Sequence, residues 1–415
     1  ATLWLEAGRK AFKRSGHREA VGFLRQGLNE IRGISDETTR AETEITLQTY
    51  LGESLSALEG YASEDTQNAF ERARELSIAI NRTESTFRAV SRLQAVALVQ
   101  SHLDHTYALS RELQALAASM DNPKAQADAD TMMGITAYRA GKFDEAQKHF
   151  RDAIAYHLEE HETGNFGSVA AHADAFMCNT LWLLGQPESA IEHGEAALHR
   201  AQATAHAFNE AAVLNCLGAT RIHRGEFDLT LEVSSNLATL AQEHDFLLHS
   251  LNARCLRGIA LIGKGQLVEG IRELEEGIEA FVSSGQGTYA TYYRSYLAEA
   301  YILASQLEQA KDEIAATLAL DEEVGVNIST AELMRLRARI HDIENEQADA
   351  EALLQRALHI SDQQQARGTS LRIAVSWVEL APQSEAARKA LAERLAAFDQ
   401  GHDTRDLTLA ATLLG

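Results

Sequence analysis

Residues 141–154 read Gly-Lys-Phe-Asp-Glu-Ala-Gln-Lys-His-Phe-Arg-Asp-Ala-Ile. Gly141 marks a turn, and Ala146, Phe150, Ala153 and Ile154 follow at helical spacing along one apolar stripe. Gly134 stands seven residues before the turn. Small residues at 134, 146 and 153 allow two helices to approach closely, while Phe150 fills the space between neighbouring pairs. The stretch predicts the second half of a helix–turn–helix unit.

Stepping outward, the turn position recurs at Gly185, Gly225, Gly265, Ser305 and Asn345, every interval being 40 after one step of 44. Seven residues before each turn stand Gly134, Cys178, Gly218, Gly258, Ala298 and Ala338. Five residues after it stand Ala146, Ala190, Thr230, Gly270, Ala310 and Ala350. The last apolar column reads Ile154, Leu198, Ala238, Ile278, Leu318 and Leu358. Backwards, the register reaches Ser101, Gly60 and Ser15 less regularly. Columns held over 200 residues predict a solenoid. The expected fold is all-α, an α–α superhelix of tetratricopeptide-like helix pairs. Its 40-residue period exceeds the usual length of about 34, so both helices should be about a turn longer.

Three regions follow from the regularity. Residues 1–120 hold three less regular pairs, residues 121–366 hold the regular repeats with an insertion at 159–168, and residues 367–415 form a terminal pair and tail. Asn122-Pro123 is a helix-start signal.

Composition narrows the function. Three prolines and abundant Ala, Leu, Glu, Gln and Arg favour helix throughout. Sixty acidic against 38 basic residues give a net charge of −22, which argues against nucleic acid as a partner. No apolar run approaches about 18 residues, so no membrane span is expected. Cys178, Cys216 and Cys255 occupy small-residue positions in first helices, as reduced core thiols of a cytoplasmic protein would. Ala1 opens inside a helical pattern without an initiator methionine, which suggests a piece of a longer protein.

Catalytic patterns are weak. His157-Leu158-Glu159-Glu160-His161 matches the inverted zinc-protease string, but no third ligand and no α/β context accompany it. Gly263-Lys264-Gly265 lacks the remainder of a phosphate loop and falls on a repeat turn. The expectation is a non-enzymatic chain without metal or cofactor.

What remains is the concave surface lined by first helices. Register places Tyr138, His172, Asn179, Trp182, Asn215, Asn252, Tyr292, Glu299, Arg335 and Arg339 there. Asparagine can hydrogen-bond an extended peptide, and Tyr and Trp offer anchoring surface. A protein or peptide partner in this groove is the expectation. Trp182 and Tyr138 share a column beside the insertion and are the candidate anchors.

Leu181-Trp182-Leu183-Leu184-Gly185-Gln186-Pro187, Arg257-Gly258-Ile259-Ala260-Leu261 and Tyr296-Leu297-Ala298-Glu299-Ala300-Tyr301 carry a resemblance. So do Gly265–Ile271, Ala331–Leu336 and the Gly401–Leu407 segment. The chain resembles the carboxy-terminal repeat region of large bacterial ATPases fused to adenylate/guanylate cyclase or DNA-binding domains. The maltose-regulator type of ATP-dependent activator is a more distant likeness. The resemblance implies a regulatory or sensor arm, with the amino-terminal ATPase and effector domains as its own partners. A free-standing adaptor with a peptide-binding groove is the alternative.

Overall fold

The computed structural model describes residues 1–100, 103–159, 168–203 and 206–415. Among the described residues every regular element is helical. Successive antiparallel pairs are α1 (Thr2–Lys13) with α2 (His17–Asn29), α3 (Glu37–Glu59) with α4 (Glu64–Ala79), and α5 (Thr83–Gln100) with α6 (Leu103–Met120). Next come α7 (Pro123–Arg139) with α8 (Phe143–Glu159), α9 (Ser168–Leu183) with α10 (Pro187–Ala203), and α11 (Ala207–Arg224) with α12 (Phe227–Glu243). The later pairs are α13 (Leu247–Gly263) with α14 (Leu267–Ser283), α15 (Thr291–Leu303) with α16 (Leu307–Val324), and α17 (Thr330–Ile343) with α18 (Gln347–Gln363). Helices α19 (Arg367–Leu380), α20 (Glu385–Leu395) and α21 (Arg405–Leu414) close the chain.

The turns explain the period. Gly141, Gly185, Gly225, Gly265, Ser305 and Asn345 all adopt positive φ, ending the first helix of their pairs. Each following residue returns its N–H to a carbonyl five residues back: Gln186 to Leu181, Gln266 to Leu261, Gln306 to Tyr301 and Glu346 to His341. This is the wrap that satisfies the last carbonyls of a helix. A second left-handed set, Asp245, Gly285, Gly325 and Gln365, repeats at the same 40-residue spacing between pairs. Only the first of these two sets is visible as a small-residue column.

The small-residue columns work by contact. A Cβ on Gly134 would lie 2.6 Å from the Phe150 ring, so the glycine is what lets the ring sit between α7 and α8. Phe150, Ala146 and Ala153 are fully buried. The last apolar column is exposed at Ala238 of α12, while Leu237 just before it, equivalent to Ala153, is fully buried. Asn122 caps α7, accepting from the N–H groups of Lys124 and Ala125.

The superhelix closes on itself. Arg18 meets Asp245, 227 residues further on, and the Ser189 N–H donates to Gln400 Oε1, 211 residues further on. At a 40-residue period, these separations put one superhelical turn at between five and six helix pairs. Between those ends, the Asn327 N–H donates to the Arg139 carbonyl at 3.3 Å, and Gln364 donates to the Asn327 carbonyl. Gly401 N–H meets Glu188, which ties the start of α10 to the chain end. The concave face therefore looks onto the protein's own next turn along much of its length.

Candidate functional site

First helices supply the inner wall of the turn, and their side chains converge on a chamber of about 140 Å³. Helix α5 contributes Arg92, Leu98 and Val99, and α7 contributes Ile135, Tyr138 and Arg139. Facing them stand His172, Phe176 and Asn179 of α9, and Asn215, Ala219 and His223 of α11. Tyr292, Tyr293 and Ile328 complete the enclosure.

Aromatic packing fixes the walls. Tyr138 meets Phe176 edge-on at 5.3 Å, and Phe176 stacks at 6.2 Å against Phe150 of the core. Polar groups are held from behind. The Tyr293 hydroxyl donates to Asn252 at 2.9 Å and contacts Asn215 Oδ1 at 3.3 Å. Thr220 donates to Asn179 Oδ1 at 2.8 Å. Both asparagine carbonyls thus have partners within the wall. Arg92 pairs with Glu53 at 2.8 Å. The Arg139 guanidinium attracts Asp321, whose carboxyl burial nevertheless pushes up to about 7. Neither carboxylate lines the chamber.

Beside the chamber, the axis is filled. Trp182 stacks on His223 with ring centroids 3.9 Å apart, and His223 lies within hydrogen-bond distance of the Tyr292 and Tyr296 hydroxyls. Burial lowers the His223 pKa to about 3, so its ring is neutral near pH 7. Across the axis, Gly368 presses against the Trp182 ring, where a Cβ would come within 3.0 Å, and the Arg372 guanidinium sits over the same ring. Arg372 pairs with Asp406 of α21 and with Glu332 of α17. Arg335 is 3% exposed and pairs with Glu299 and Glu332, while Arg339 also reaches Glu299. Burial works to raise the Glu332 carboxyl, but Arg335 and Arg372 outweigh it and hold it low.

The structure sorts the ten groove residues into three groups. Tyr138, His172, Asn179, Asn215 and Tyr292 come together on the chamber. Asn252 is fully buried behind Tyr293 and does not face the axis. Trp182, Glu299, Arg335 and Arg339 belong to the filled section, so a partner reaching Trp182 would first have to displace α19. Arg92, Arg139, Phe176, His223 and Tyr293 line the chamber outside the sequence-derived set. Arg139 directly follows the selected position Tyr138, so a broader inward arc, as buried helices present, would have found it.

Chemistry is sparse. Burial pushes the Cys178 thiol up to about 12 and raises Cys216 and Cys255 as well, so none is a nucleophile near pH 7. The side chains of the His157–His161 string and the 160–167 part of the insertion lie outside the described residues. Among the described residues, His341, Glu346 and Asp349 come within metal-ligating spacing, but on a surface turn where His341 is already bonded to Glu346. No described helix is long and apolar enough to cross a membrane.

This architecture defines the class, a tetratricopeptide-like helical-repeat superhelix. Among solved structures, the chain is similar to a Rap protein complexed with competence and sporulation factor, at 12% identity and a TM-score of 0.53. That match covers 88% of this chain and 98% of the Rap chain. Aspartyl phosphate phosphatase F from Bacillus subtilis is similar at 12% identity and a TM-score of 0.50, covering 86% of this chain and 93% of that one. No family model matches the chain, and no curated protein matches it. At these identities the likeness establishes the fold.

Proposed function

We propose that the chain is a non-catalytic, protein-interaction solenoid with a regulatory role in the cytoplasm, reading a protein or peptide segment along its axis. One observation carries the proposal: a single chamber is walled by first helices of successive pairs, from α5 to α15. An occupant there touches many repeats at once, so binding couples to how tightly the superhelix closes. The Rap structure similar in fold holds competence and sporulation factor, which supports the same use of the architecture. The resemblance to the arms of multidomain ATPases extends the proposal to an output exerted on attached ATPase and effector domains. The acidic surface favours protein over nucleic acid as the partner.

The test is selection of displayed decapeptides on the intact chain, followed by titration of an enriched peptide. The double variant Asn179→Ala/Asn215→Ala is expected to weaken that peptide at least about tenfold, the loss of one or two buried hydrogen bonds, while circular dichroism shows a retained fold. Peptides that bind this variant as tightly as the parent contradict the reading.

A further inference from the structure

The chamber has a charge and hydrogen-bonding character unlike the rest of the molecule. The chain carries 60 acidic residues against 38 basic ones, yet the charged side chains lining the chamber are Arg92 and Arg139, with no Asp or Glu among the lining residues. Guanidinium groups donate and never accept. Thr220 donates to the Asn179 carbonyl, and the Tyr293 hydroxyl stands 3.3 Å from Asn215 Oδ1, so two side-chain amides join the guanidinium groups on the wall. Most of the remaining surface is apolar, with Leu98, Ile135, Phe176 and Ala219 among it, interrupted by tyrosine hydroxyls and the His172 and His223 rings. A wall that carries guanidinium donors and no carboxylate, on a largely apolar chamber, complements an anionic, acceptor-rich head on an apolar body.

Size limits the body. A cavity of about 150 Å³ with apolar walls accommodates benzene, and this chamber measures about 140 Å³. We propose that the axial chamber is a binding site for a monocarboxylate whose apolar body is the size of one aromatic ring or a short branched chain. Arg139 and the Glu53-paired Arg92 are the cations on the wall that the carboxylate faces, and the Tyr138–Phe176 wall receives the body. The same chemistry could come from a free arylacetic or branched-chain acid, or from the last residue of a peptide. The proposal stands on the chamber alone and does not require the peptide-reading function.

The test uses the intact chain and ¹⁹F NMR of 4-fluorophenylacetate, which detects weak binding. Binding is expected, with 4-fluorophenylacetamide at least tenfold weaker because it lacks the charge. Arg139→Gln should weaken the acid at least tenfold and leave the amide nearly unchanged, and Arg139→Lys should recover part of the loss. Ala219→Leu, which fills the chamber without touching a charge, should abolish binding of both while the fold is retained. Competition by Gly-Gly-Phe, but not by Gly-Gly-Phe-amide, would assign the site to peptide ends. Competition by phenylacetate alone would assign it to free acids. Equal binding of acid and amide, unchanged binding in Ala219→Leu, or no binding to the folded parent would each overturn the proposal.

Discussion

Two stretches of one axis are built from equivalent helices and end differently. Between α5 and α11 the first helices stand back around a chamber that Tyr292 and Tyr293 of α15 close, whereas further along α15 and at α17 and α19 the inward positions interlock through Glu299, Glu332, Arg335 and Arg372. The difference lies in how the inward side chains are linked to one another. Tyr, Phe, Asn and His on the chamber wall pack against neighbours on their own side. Long Arg and Glu side chains link neighbouring pairs and α21 into one network, from which Arg372 reaches the Trp182 ring across the axis. Repeat geometry alone therefore does not make a groove, because the side chains at the inward positions decide whether the axis stays open.

The largest effect should come from breaking the filled section. Arg335→Ala leaves Glu299 and Glu332 facing each other with one fewer cation, and loss of one partner of a buried ion network costs about 3–5 kcal/mol. Phe150→Ala, which empties a fully buried core site, should cost a similar amount. Hydrogen exchange should separate the two. Protection is expected to fall around α15–α21 in the first variant and around α7–α9 in the second, since repeats couple to their neighbours. Loss spread evenly over both regions in either variant would erase the distinction between the two stretches.

Asp321 gives an effect of intermediate size. Its carboxyl oxygens are buried without hydrogen-bond partners, and burial, partly offset by Arg139, raises its pKa to about 7 from an unfolded value near 4. Between those values the folded chain holds a proton that the unfolded chain has released, so stability falls as pH rises through the window and stays low above it. Asp321→Asn should therefore stabilise the chain at pH 8 by on the order of 2–4 kcal/mol and change little at pH 4. Equal melting shifts at both pH values would contradict the assignment.

His249 gives the smaller effect, with the opposite sign. Both of its ring nitrogens are buried without partners, and burial, reinforced by His172, lowers its pKa to about 3. Below the unfolded value of about 6.5, the unfolded chain binds a proton that the folded chain refuses, so stability falls as pH drops from there toward 3. His249→Phe should remove about 2 kcal/mol of the destabilisation that the parent suffers between pH 7 and pH 5. Parallel acid-unfolding profiles for parent and variant would show that the ring is not held neutral.

Much of the fold was legible because it is local. Turn residues at Gly185, Gly225, Gly265, Ser305 and Asn345 adopt a left-handed backbone, which glycine permits without cost, and small residues such as Gly134 permit one close contact each. Both signals repeat at fixed spacing and can be read from one chain. The site was legible only in part. Register identifies which residues point inward, and it brought Tyr138, His172, Asn179, Asn215 and Tyr292 to one place. It could not report superhelical pitch, which small rotations between neighbouring pairs accumulate. Pitch is what brings Gly368 onto Trp182 and Asp245 beside Arg18. Arg92 was missed for a different reason: its pair has no glycine at the turn, so its register was the weakest in the sequence.

Closure of the superhelix on itself is the claim on which the chamber and its enclosure depend. It is tested most directly by spin labels on Arg18→Cys and Asp245→Cys, two exposed positions whose native side chains lie 3.4 Å apart. Native Cys178, Cys216 and Cys255 are buried and should escape labelling. A narrow distance distribution at the short limit of pulsed electron–electron resonance is expected. A broad distribution centred several tens of ångströms away, the spread of an open solenoid whose turns do not touch, would contradict it.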